Sequence, residues 1–172
     1  EQVGEGMVAA VGLHPIHLAK DIRETTTFSG TEYAFTTRSE TFDKRNFFDI
    51  SRSPSVVAVG ESGLDYFHLD DFRAPNMTTD LYVSLQKETL YEIMGFAREI
   101  GKPHIFHCRD AYDDFAAIVQ QFSDTSNVSA SGAPPDAMIG AVRGVVHCFT
   151  GTWLQAQKML ELGFFIGFTG IV

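Results

Sequence analysis

Val56-Val57-Ala58-Val59-Gly60-Glu61-Ser62-Gly63-Leu64-Asp65 is the stretch on which the reading of the fold turns. Val56 to Gly60 is an apolar run rich in β-branched residues, without polar alternation, as expected of a strand covered on both faces. Glu61, Ser62 and Asp65 follow at once, where a parallel α/β protein gathers its chemistry. The same grammar repeats outward. Upstream, Val8 to Leu13 is a short apolar run stopped by His14-Pro15. Downstream, about Asp80 to Ile100 has helical spacing, with Tyr82, Leu85, Ile93, Ala97 and Ile100 roughly on one face. Gly101 and Pro103 supply its stop. His104 to His107 is a short strand, and Phe115, Ile118, Val119 and Phe122 mark a helix over about Tyr112 to Phe122. Val145 to Phe149 is the next strand. Trp153, Ala156, Gln157 and Leu160 place a helix that Gly163 closes, and Phe164 to Phe168 is the last strand.

Two segments interrupt the pattern. Residues 123–137, rich in Ser, Ala, Gly and Pro, read as a surface loop. Residues 21–53 mix Thr, Ser, charge and scattered Phe, with a helix near Phe42 to Ile50. Five strands with helices between most of them predict an α/β fold, a parallel sheet with right-handed crossovers. An open doubly wound sheet can stop at five strands, whereas a closed (β/α)8 barrel typically takes about 250 residues. The pattern therefore favours the open sheet for a complete chain and an incomplete barrel for a partial one. A start at Glu1-Gln2 and a stop at Gly170-Ile171-Val172, straight after an apolar stretch, read as the ends of a piece of something longer.

Composition narrows the function. The 172 residues are 44% hydrophobic and 20% charged, ordinary for a globular domain able to bury one core. With 13 Lys and Arg against 22 Asp and Glu the net charge is −9, which excludes a basic nucleic-acid coat or a binder of anionic membranes. No apolar run approaches bilayer length. No leader pattern opens the chain. Two cysteines, Cys108 and Cys148, cannot build a disulfide framework and point to a reducing, cytoplasmic setting, with the nucleus as the alternative.

Four strand ends carry polar groups that a structural loop would not need: His14, then Glu61 to Asp65, then His107-Cys108-Arg109-Asp110, then His147-Cys148. Glu61, His107 and His147 together form a His₂-carboxylate group, a common ligand set for a catalytic metal with an open position. A Cys₂His₂ zinc site is disfavoured, because neighbours on a strand point to opposite faces. Each residue has a plain alternative: His as a hydrogen-bonded loop residue, Glu61 as a turn residue, Asp65 as a cap, as a support for the turn or as a partner behind a ligand. His17 and His104 read as structural, and His68 as solvent-facing in an acidic stretch. Nucleophile-elbow, P-loop and dinucleotide-fold signatures are absent from the sequence.

At these residues the sequence resembles the TatD family of metal-dependent deoxyribonucleases, amidohydrolase-like TIM barrels. The stretches that carry the likeness are Val11 to Pro15, Val59 to Tyr66, Pro103 to Ala111, Val146 to Gly151 and Gly163 to Gly170. The resemblance implies one domain over residues 1–172, a partial (β/α)8 barrel holding about its second to sixth strands. It implies a carboxylate, Glu61, bridging two divalent ions (Mg, Mn or Zn), with His107 and His147 completing one site. The family's His-x-His pair and late Asp, which serve the other ion, have no counterpart here. Arg109, two residues after His107, would turn to the same side and fork onto phosphate oxygens, or pair with Asp110 or Asp113. His14 would contact substrate or hold the barrel mouth together, and Asp65 would stand behind the ligands. The implied substrate is DNA, cut from 3′ ends with a preference for single strands, because a −9 chain grips few phosphates. No membrane and no obligate protein partner is expected. A metal hydrolase of a small amide or ester, or an inactive fragment or paralogue, are the alternatives.

Overall fold

A computed structural model describes residues 6–67, 69–127 and 142–170. Five parallel strands form the sheet: β1 (Ala9–Val11), β4 (Val56–Asp65), β5 (His104–Arg109), β6 (Gly144–His147) and β7 (Phe165–Ile166). Their spatial order repeats their order in the chain, with no reversal. A doubly wound sheet turns back on itself at a switch point, while a barrel adds each strand beside the last. The order therefore selects an arc of a (β/α)8 barrel over the open sheet that the sequence pattern also allowed.

The helices follow their sequence signals. Helix α3 (Thr79–Glu99) is capped by Thr78, whose Oγ1 accepts the Leu81 N–H at 3.2 Å. It ends where Gly101, at φ +69°, lets the Gly101 and Lys102 amides reach back to the Arg98 and Ala97 carbonyls. Its face of Tyr82, Gln86, Leu90, Ile93, Met94 and Ala97 is buried against the sheet. Helix α5 (Trp153–Glu161) starts on a Thr152–Gln155 capping box and closes at Gly163, φ +86°. Its buried residues are Ala156 and Met159, whereas Trp153, 72% exposed, and Leu160, two of the residues that placed the helix in the sequence, face outward. Both line an apolar cavity of about 530 Å³ with Phe165 and Phe168, so their clustering marks an open groove and not the helix's packed side. Helix α4 (Tyr112–Asn127) runs on through residues 123–127, predicted as loop; the rest of that predicted loop, 128–137, lies outside the described residues, as does His68.

The core lies between sheet and helices. Phe106 of β5 meets Phe115 of α4 and Phe164 edge-on, at 5.0 and 5.2 Å between ring centroids. A second cluster around Val59, Ile93 and Phe96 takes in Phe42 and Phe47, which seat helix α1 (Lys44–Ser51), the predicted 42–50 helix.

The stretch before α1 holds an antiparallel hairpin that the sequence reading did not find, β2 (Arg23–Phe28) and β3 (Thr31–Thr36). Ser29 and Gly30, at φ +49° and +77°, make its two-residue turn. Thr37, almost fully buried, pins its base by accepting the Ile22 N–H and donating to the Lys20 carbonyl. The hairpin leaves the chain just past the short 3₁₀ turn Pro15–His17, and Phe35 packs near His17 and near Phe72 of the one-turn α2 (Leu69–Phe72).

Candidate metal centre

Strand β4 places the first side chain by an irregularity. Gly60 pairs with Ile105 and Ser62 with Phe106, so Glu61 is an extra residue with no partner of its own across the β4–β5 ladder. A bulge of this kind re-aims a side chain. On one side Ser62 Oγ meets the buried His104 Nε2 at 2.5 Å, anchoring the bulge to β5. On the other, Gly60 is pressed against Gly12 of the β1 end, where a Cβ on Gly12 would lie 2.5 Å from the Gly60 carbonyl carbon. Gly63 is likewise obligatory: a Cβ there would sit 1.8 Å from the His107 carbonyl oxygen. The Gly-x-x-Gly spacing around Glu61 is thus a packing requirement of the strands that frame it.

Strand β5 supplies the second group. Its residues alternate between the buried His104, Phe106 and Cys108, on the helix side, and Ile105, His107 and Arg109 on the other. His107 Nδ1 lies 3.5 Å from Glu61 Oε1, and its Nε2 lies 2.9 Å from Oδ2 of the buried Asp65. Asp65 is itself clamped by α3: its N–H donates to Gln86 Oε1 at 2.8 Å, and Gln86 Nε2 donates to its carbonyl at 3.0 Å. Gln86 escaped the sequence reading; the signal was an amide four residues after Tyr82 on an otherwise apolar helix face. Tyr82, one turn earlier, donates its hydroxyl to the Pro15 carbonyl at 2.9 Å and fixes the turn that carries His14.

His14 stands with its ring centroid 4.1 Å from that of His107, and one ligand atom each from His14, Glu61 and His107 lie within 4.8 Å of one another. His147, at the end of β6, brings Nε2 to 3.7 Å from Glu61 Oε1 and 2.9 Å from Cys148 Sγ. The predicted Glu61, His107 and His147 do meet around the carboxylate, but the tightest group takes in His14. Arg109 is exposed and lays its guanidinium 3.8 Å over the Phe67 ring. Cys108 is buried in the helix-side core, away from Cys148, so no Cys₂His₂ cluster forms.

The electrostatics follow from this packing. Burial, reinforced by the neighbouring His107, lowers the His14 pKa to about 4. Burial is also the largest influence on His107 and acts downward, but the Asp65 and Glu61 carboxylates together outweigh it and raise that pKa to about 8. The His107 hydrogen bond holds Glu61 below the usual carboxylate range. For Asp65 burial works upward, and the His107 contacts prevail to lower it. The result is a carboxylate pair kept ionised around an imidazole. Two imidazoles and a carboxylate converging within 4.8 Å are close to the spread that the donors of one ion require, about 4 Å for bonds near 2.1 Å. The donor set fits a divalent cation.

A barrel arc with His and Glu side chains gathered at the C-terminal ends of its strands is an α/β-barrel architecture with a candidate metal centre. The chain belongs to the TatD-related DNase family, whose family model matches residues 1–172. It is 34% identical over 125 residues to a 3′-5′ ssDNA/RNA exonuclease TatD of Klebsiella pneumoniae, covering 73% of this chain and 38% of that protein. It is 33% identical over 135 residues to an uncharacterized metal-dependent hydrolase, YcfH, of Escherichia coli, covering 78% of this chain and 42% of the relative. The crystal structure of the TatD homologue YJJV of Escherichia coli shares the fold, with a TM-score of 0.58 and 24% identity over 92% of this chain and 45% of that one. The chain thus spans about two fifths of the length of the curated relatives it matches, and its five strands are part of a TatD-type TIM barrel.

Proposed function

We propose that residues 1–172 act as a single metal-dependent hydrolase domain of the TatD type, cleaving DNA phosphodiester bonds from 3′ ends with a preference for single strands. The observation that carries this reading is the convergence of His14, Glu61 and His107, with His147 beside Glu61, at the strand ends of a barrel arc. The similar proteins named as a 3′-5′ exonuclease and as a metal-dependent hydrolase support it. A bound divalent ion (Mg, Mn or Zn) would supply charge neutralisation at phosphate and a lowered pKa for water.

The chain's own residues prepare that chemistry. Glu61, His107, His147 and His14 would hold the ion. Asp65 Oδ2, 2.9 Å from His107 Nε2, accepts that nitrogen's proton, so when an ion takes the place of the Nδ1 proton shared with Glu61 the ring would be left in the tautomer a ligand needs. Gln86 keeps Asp65 in place from α3. Arg109, on the same face of β5 as His107, carries five donors in a fork that matches two phosphate oxygens. With a net charge of −9 the chain cannot hold a long duplex by its backbone, which favours ends and single strands. Among the described residues no helix is long and apolar enough to cross a membrane. Both cysteines are free, which supports the proposed cytoplasmic setting.

The test is degradation of 3′-labelled single-stranded DNA with Mg²⁺, Mn²⁺ or Zn²⁺, against EDTA and against Glu61→Ala. Chelator-sensitive loss of the label that the variant abolishes is expected. Degradation that survives both EDTA and Glu61→Ala would overturn the reading, as would unchanged metal content of the variant by mass spectrometry.

A further inference from the structure

Phe67 is a large apolar side chain that is 51% exposed, two residues beyond Asp65, where β4 ends. It is nevertheless held. Asp65 Oδ1 accepts the Phe67 N–H at 3.1 Å, while the other oxygen of the same carboxylate meets His107 at 2.9 Å. The Arg109 guanidinium lies 3.8 Å over its ring, within the range of a cation–π contact. One buried carboxylate therefore fixes both a donor of the metal group and the backbone of an exposed aromatic. The strand register places Asp65 directly opposite Arg109.

The geometry points to Phe67, backed by Arg109, as a platform on which the terminal base of a single nucleic-acid strand stacks while its phosphate lies at the His14–Glu61–His107 group. This rests on the nuclease reading above and adds to it the recognition of the base. The chain has 22 acidic against 13 basic residues, and the cavity of about 520 Å³ beside the ends of β5 and β6 is lined by Asp110, Asp113 and Asp114. Phosphates beyond the reacting one meet repulsion there, so grip on the strand has to come from a contact indifferent to charge. An aromatic face with a planar cation against it supplies that contact and accepts any base. It also favours single strands physically, because a base inside a duplex already has both faces stacked.

The test measures binding in EDTA, where no cleavage occurs, by fluorescence anisotropy of a short oligothymidylate and of the same strand with its 3′-terminal base removed. With the full chain, the intact strand is expected to bind about ten-fold more tightly than the abasic one, the modest end of what one stacked base contributes. Phe67→Ala should bind both strands alike, at the abasic level, and Phe67→Trp should restore the difference. Equal losses for both strands in Phe67→Ala, or no loss, would overturn the platform. Hydrolysis of bis(p-nitrophenyl) phosphate, which carries no base, separates the two claims. Absence of chelator-sensitive hydrolysis by the wild type overturns the nuclease reading, while base-dependent binding would still uphold the platform.

Discussion

His104 offers a direct test of the energetics, because its side chain is buried and titrates out of reach of the metal group. Its ring lies flat on Phe106, with centroids 4.0 Å apart and planes 10° from parallel, and Nε2 meets Ser62. Nδ1 has no partner among the described residues. A proton there would put a charge in apolar surroundings with one N–H unmet, so burial lowers the pKa to about 3. The unfolded chain titrates near 6.5, so between about pH 3 and 6.5 the unfolded state binds the extra proton and stability falls with acidity. At pH 7 the effect is nearly absent; at pH 5, 1.5 units below 6.5, it amounts to about 2 kcal/mol. For a domain of this size that corresponds to a Tm lowered by about 4–8 °C. His14, its pKa also lowered, acts in the same direction; His107, its pKa raised to about 8, stabilises at low pH and loses that contribution as pH rises through 8. Both remain in a His104→Gln variant, so comparing urea unfolding of wild type and variant at pH 7 and pH 5 isolates His104. The variant should lose stability at pH 7 and recover about 2 kcal/mol relative to wild type at pH 5. An identical difference at the two pH values would refute the account.

Gln86→Leu strips both hydrogen bonds from the buried Asp65 backbone and should cost about 3 kcal/mol, read from denaturant midpoints; a loss under about 1 kcal/mol would mean the clamp is idle. Phe106→Ala removes the ring shared by Phe115 and Phe164 and should cost about 3–5 kcal/mol in the same assay. Asp65→Asn should weaken divalent-ion affinity about 10–100-fold by calorimetry, since the amide no longer enforces the His107 tautomer. Titrating the protein with Mn²⁺ should raise its stability by about 2.7 kcal/mol at a hundred times Kd, a gain that Glu61→Ala should lack.

How much of this could be read from the chain depended on whether local chemistry or tertiary packing decided the outcome. The sheet strands and helices α3 and α5 were legible because apolar runs, Thr caps and glycines past the helix ends act locally: Thr78 with Gly101, and Thr152 with Gly163. Their boundaries were not, since β4 continues past Gly60 to Asp65 only because β5 offers partners there. The hairpin carried its own signal, two Thr-rich runs about Ser29-Gly30, hidden by expecting helices between parallel strands. At the site, strand-end placement picked out Glu61, His107, His147, His14, Asp65 and Arg109. It could not rank His14 against His147, which depends on how far each turn folds inward. Nor could it show that Arg109 lies on Phe67, a contact set by two side-chain rotamers.

Glu61 is the residue that the ladder between β4 and β5 does not count. Removing it, rather than replacing it, would join Gly60 to Ser62 and leave every other pairing of the two strands in its present register. The core residues before and after it would keep their faces. The carboxylate of the site and the architecture are therefore written separately in this strand. Loss of a single codon would take away the group around which His107 and His147 gather and leave the scaffold standing, and gain of one residue at the same point would restore it. In descent, a strand so built can lose or gain that carboxylate in one step, without passing through an unfolded intermediate sequence.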